Sequence, residues 1–219
     1  MNNPQATQQL PPGYAFLISL DLSKNKAAMI GLNLLGLALM VCFGWLFARI
    51  AIWLRPEVDL SSRLSSSQIN SLGQLAGIIA VVIGILAAVV LLHEAVHGAF
   101  FWLFTRQRPH FGIRAAYAYA SAPDWFIPRN QYLVVGIAPL VVLSLLGIAL
   151  MAVVPESWLV PLLAFLVFNA SGAVGDLVVI IWLLFQSSQV LAQDGGDAVT
   201  IYAPQPNQPV EAQSNNPYP

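Results

Sequence analysis

Charged residues make up only 9% of this 219-residue chain, against roughly 25% in a soluble globular domain. That scarcity excludes a water-soluble fold built around an ordinary core. The formal net charge is −1, so the electrostatic footprint of a nucleic-acid binder is missing and nucleic acid is not expected as a partner. Cysteine is nearly absent. Cys42, the single one, sits in an apolar run, which excludes an intrachain disulfide and argues against redox chemistry. A basic start leading into an apolar run is also missing. The opening MNNPQATQQLPPGYAF is polar, and a cleavable signal peptide is not expected.

What is present is hydrocarbon: 58% of residues are hydrophobic. A spanning helix needs about 20 predominantly apolar residues, and four stretches supply them, at about 27–53, 75–105, 132–154 and 158–186. The sequence therefore predicts an all-α membrane protein in contact with the lipid bilayer. It divides into a polar segment over 1–26, a membrane-embedded domain over 27–190 and a tail over 191–219. The tail, rich in Pro, Asn and Gln, is expected to be disordered. Residues 14–22, YAFLISLDL, partly alternate and suggest a short strand. Between the second and third spans, IRAAYAYASA alternates, Pro123-Asp124 is a turn signal and Trp125-Phe126-Ile127 follows, predicting a hairpin-like loop at 113–128. Lys24, Lys26, Arg106, Arg108, Arg114 and Arg129 fall on one side of the spans, and Arg49, Arg55 and Arg63 on the other. That bias predicts a cell-membrane protein with both termini in the cytoplasm.

Inside the second span stands LLHEAVHGAF. A charged, unpaired Glu at bilayer depth costs on the order of several kcal/mol, so His93, Glu94 and His97 need a reason to be there. On a helix, positions i and i+4 share a face, so His93 and His97 can aim ring nitrogens at one point with Glu94 beside them. This is the H-E-x-x-H arrangement of zinc metallopeptidases: two imidazoles hold Zn2+, and Glu94, the catalytic base, takes a proton from a water that the ion activates. A buried polar cluster that merely pins helices together more often uses Ser, Thr or Asn.

A tetrahedral zinc site needs a third protein ligand. Asp176, in FNASGAVGDLVV, is the other acid within the spans. The second and fourth spans run in the same sense across the membrane. His93 and His97 precede Thr105 by twelve and eight residues, and Asp176 precedes Gln186 by ten, so the three are level to within one helical turn. Gly172 and Gly175 are expected to let the fourth span lie close to the second at Gly98. Asn169, on the face of Asp176, is a candidate contact to a substrate carbonyl or oxyanion, or alternatively an interhelical bond. His110 reads as a solvated loop residue. Trp and Tyr near the span ends read as interface anchors.

Four stretches, LPPGYAFLISLDLSKNK, HEAVHG, AYAYASAPDWFIPRNQYLVVGIAPL and NASGAVGDL, resemble those of the putative zincin peptidases, small bacterial multi-pass membrane proteins. The resemblance covers about residues 10–190. It implies a core like that of site-2 proteases, with His93, His97 and Asp176 as zinc ligands and Glu94 as base. Site-2 proteases carry their acidic ligand in an Asn-Pro-Asp-Gly-like context, whereas here Gly-Asp-Leu follows Asn-Ala-Ser-Gly. The function expected is a zincin-type metalloprotease, an integral membrane hydrolase acting on a membrane-associated protein substrate. The alternatives are a zinc hydrolase of a lipid or small molecule, and a non-catalytic zinc-binding scaffold or regulator.

Overall fold

The computed structural model describes residues 5–22, 24, 26–65, 70–114 and 118–205. Four apolar segments are long enough to cross a membrane, as expected: α1 (Lys26–Leu54), α3 (Leu72–Thr105), α4 (Arg129–Met151), and the pair α5 (Glu156–Gly172) and α6 (Val174–Leu184). A short α2 (Leu60–Ser65) lies between α1 and α3. Ala27 to Trp53 and the other apolar stretches form helices because a helix satisfies every backbone group internally, which hydrocarbon demands. Lipid-facing surface is plain on α1, where Leu34, Val41 and Trp45 are all more than half exposed. The helix ends are closed by polar groups. Ser71 caps α3 by accepting from the Gln74 N–H. Arg129 donates to the carbonyls of Leu183 and Leu184 at the end of α6, both at 2.8 Å.

The chain is mostly helical but not all-α. Strands β1 (Tyr14–Leu20), β2 (His110–Ile113), β3 (Ala118–Pro128), β4 (Leu191–Asp194) and β5 (Val199–Pro204) form one antiparallel sheet in the order β1-β5-β4-β3-β2. Four spans alternate in direction, so the start of α1, the end of α3, the start of α4 and the end of α6 share one side, and every strand attaches there. The alternation at 14–22 becomes β1. Two other expectations are corrected. Residues 191–204 of the expected disordered tail form β4 and β5, because Leu191, Ala192, Val199 and Ile201 are buried against the helix ends and the strand edges are paired on both sides. Residues 206–219 lie outside the described residues. Pro123-Asp124 is not the turn of the hairpin. It lies within β3, where the register with β4 slips between Ala122 and Ile127, and the reversal falls instead between Ile113 and Ala118.

Two apolar clusters hold the molecule. One joins sheet to helix ends through Phe101, Ile127, Val135, Leu183, Ala192 and Ile201. The other, at the opposite end, gathers Phe47, Met151, Leu159, Leu163 and Leu166 around α1, α4 and α5. Where the spans meet, close packing rather than escape from water holds the helices together, because lipid is as apolar as the side chains. The polar cluster of α3 lies between these two cores.

Candidate metal centre

His93 and His97 project from one face of α3, and Asp176 stands in the first turn of α6. His93 Nε2 lies 2.9 Å and His97 Nε2 3.5 Å from the same oxygen, Asp176 Oδ2. One candidate ligand atom from each of the three falls within 4.8 Å of the others. The break between α5 and α6 at Ala173 puts Asp176 at a helix start, where the backbone dipole favours a carboxylate. His110 stays outside this group, at the exposed start of β2.

The far nitrogens fix the ring states. His97 Nδ1 is 3.0 Å from the Val135 carbonyl. A carbonyl only accepts, so Nδ1 carries the proton. His93 Nδ1 is 3.1 Å from Asn169 Oδ1, and Asn169 Nδ2 donates to the Pro139 carbonyl at 3.4 Å. That second bond sets the amide orientation, so His93 Nδ1 is also the donor. In each neutral ring Nε2 is then a lone pair, and both lone pairs converge on a carboxylate oxygen. Such an arrangement repels itself unless a cation or protons stand between. Two imidazoles with outer hydrogen bonds, plus one carboxylate, are the donor set that zinc takes, so the residues present fit the ion.

Of the two roles expected for Asn169, the interhelical bond is the one seen, to His93 on α3 and to Pro139 on α4. The Asn169 side chain is fully buried and both amide atoms are engaged, which makes it the residue that orients His93. The glycines act elsewhere than expected. A Cβ at Gly98 would meet the Phe111 ring at 2.5 Å, so this glycine seats β2 on α3. Gly172 and Gly175 meet nothing within 4 Å and border a cavity instead. The approach that brings α6 inward is made on α4, where a Cβ at Gly136 would lie 3.1 Å from Ile180.

Glu94 points toward the sheet, and its Oε2 accepts from the Ala120 N–H of β3 at 2.7 Å. That stretch of β3 pairs with β2 on one side but not with β4, whose pairing begins at Ala122. The edge of β3 at Ala120 thus turns its N–H to Glu94 and not to a neighbouring strand. Cluster and edge border one cavity of about 510 Å³. Its membrane-side wall is apolar, from Met29, Leu32, Val89 and Val90, and its sheet-side wall holds Tyr119, Tyr132 and Asp194.

Residues 86–191 match the family described as "Putative zincin peptidase". The family is the one that the motifs resemble, and its name implies zinc. The matched segment carries His93, Glu94, His97, Asn169 and Asp176 together with β2 and β3. No curated protein and no solved structure matches the chain.

Two further residues of the cavity were not singled out by their sequence setting. Tyr132, expected as an interface anchor, is buried and donates its hydroxyl to Asp194 Oδ2 at 2.6 Å. Burial pushes the Asp194 carboxyl above its ordinary value, against the opposing pull of the Tyr132 hydroxyl and the Gly196 N–H. Asp194 lies in the segment expected as a tail, which is why no sequence pattern placed it beside the site.

Proposed function

We propose that the protein is an integral membrane zinc metallopeptidase of the site-2-protease type, hydrolysing a peptide bond in a membrane-associated polypeptide. The observation that carries this reading is the pair of imidazoles whose Nδ1 donors are both anchored, to Asn169 and Val135, while both Nε2 atoms face Asp176. His93, His97 and Asp176 would hold the ion. Zinc, when bound, supplies the Lewis acidity that makes water nucleophilic near neutral pH. Glu94 takes the proton of the attacking water and delivers it to the departing amine, held in place meanwhile by the Ala120 N–H. The stretch of β3 before Ala122, which borders the cavity and is not laddered to β4, binds substrate as an added strand, because helical backbone must be extended before its carbonyl is open to attack. The apolar wall at Met29, Leu32, Val89 and Val90 suits the side chains of a membrane segment.

New peptide termini are compared between membranes of cells making the wild-type protein and cells making Glu94→Gln. Cleavages within or beside spans of other proteins should occur only with the wild type, and identical termini in both would overturn the peptidase reading.

The orientation belongs to the same proposal. Six Lys/Arg against three support a cytoplasmic sheet, with the chain entering and leaving the membrane on that side. A cysteine introduced at exposed Gln205 should resist a membrane-impermeant thiol reagent in intact cells and react after lysis, in a Cys42→Ser background. Labelling in intact cells would reverse the orientation.

A further inference from the structure

Proline in the interior of α4 needs an explanation at the one place where it stands. Pro139 has no N–H, so the carbonyl four residues earlier has no helical donor to accept from. That carbonyl is Val135, the acceptor of His97 Nδ1 at 3.0 Å. Val135 and Pro139 are both buried, so water cannot serve the carbonyl in place of His97. The carbonyl of Pro139 itself accepts from Asn169 Nδ2, and Asn169 holds His93. One residue thus touches the outer hydrogen bonds of both imidazoles.

We propose that Pro139 is a positioning residue of the metal centre: by withholding a helical N–H it reserves the Val135 carbonyl for His97, which keeps Nδ1 protonated and leaves Nε2 as a ligand. This rests on the zinc reading above. Outer partners of metal-bound histidines set the tautomer and ring direction, and in a spanning helix a proline is a means of supplying such a partner from the backbone without introducing another polar side chain. Val135 can then be any residue that packs, since only its carbonyl is used.

The test is Pro139→Ala, with Pro161→Ala as control. Pro161 is the interior proline of α5, about two turns before Asn169. Zinc affinity is measured on the purified protein in detergent, by competition for Zn2+ with a chelator. Thermal stability of the metal-free protein and ¹⁵N NMR of its labelled histidines are measured alongside. The N–H that Pro139→Ala introduces returns a helical hydrogen bond to Val135, so stability should hold or rise while zinc affinity falls by about 10-fold or more. The His97 signal should lose its preference for the Nδ1–H tautomer. Pro161→Ala should change neither affinity nor tautomer.

Unchanged affinity in Pro139→Ala overturns the proposal. So does reduced affinity with the Nδ1–H tautomer retained, or a drop in stability that accounts for the loss. If the wild type itself fails to bind zinc, the zinc reading falls, and the tautomer of His97 in the metal-free variant still decides whether Pro139 sets the ring state.

Discussion

Replacing Asp176 by alanine should abolish zinc binding, whereas His110→Ala should leave it intact. Asp176 Oδ2 is the atom on which both imidazoles converge, and no other carboxylate joins His93 and His97 in a metal-sized group among the described residues. Loss of an outer partner typically lowers metal affinity about 10–100-fold, so loss of a ligand should exceed about 100-fold. Metal analysis of the three purified proteins gives the answer. The fold should survive, because α6 is still held on α4 through Gly136 and Ile180 and by Arg129 at its end. Full occupancy in Asp176→Ala, with zinc lost from His110→Ala, would show that the third ligand has been misassigned.

On the proposed peptidase reading, Glu94→Gln should keep zinc and lose turnover. The substitution retains an oxygen that can accept from the Ala120 N–H, so the side chain stays between α3 and β3 while its capacity to take a proton disappears. General-base catalysis typically contributes about 10²–10⁴-fold, and the expected fall in cleavage lies in that range. Zinc content and cleavage of a substrate found by terminus mapping are measured on the same preparation. Undiminished cleavage would remove Glu94 from the chemistry and leave the ion a structural role.

The spans and the cluster were legible for one physical reason: lipid tolerates few polar groups, so each one that remains carries information. His93, Glu94, His97 and Asp176 stand out against Leu, Val and Ile, and equal depth in helices of like direction suffices to bring Asp176 to the histidines. The sheet was harder to read. VTIYAP has the alternation of a strand, with Val199 and Ile201 buried between Thr200 and Tyr202, but so short a run beside a Pro/Asn/Gln-rich stretch does not announce partners at the far end of the chain. Pro123-Asp124 has turn chemistry, but β3 pairs with β4 before it at Ala122 and after it at Ile127, so the dipeptide gives a slip in register and not a reversal. The outer partners of the imidazoles were invisible for a different reason. Val135 acts through its backbone, and Asn169 has the same sequence signature whether it binds substrate, another helix or a ligand histidine. Glycine spacing likewise shows that backbones approach without showing which: Gly98 admits a phenyl ring, and Gly136 admits the helix.

The position of β5 between β1 and β4 has a consequence for biosynthesis. Tyr14 pairs with Pro204 and Leu20 with Val199, so a strand made before the first span waits for one made after the last. The helices can insert and begin to pack as they emerge, but the sheet closes only when β4 and β5 have left the ribosome, and long-range pairing of this kind is slow. Until then β1 has no neighbour, and the cavity lacks the wall to which Asp194 and Val199 belong. The cluster on α3 is therefore made before its pocket is complete. A nascent chain halted between the fourth span and β4 would hold His93, Glu94, His97 and Asp176 without the cavity wall that Asp194 and Val199 form. Maturation of the site is thereby tied to completed synthesis of residues 191–204.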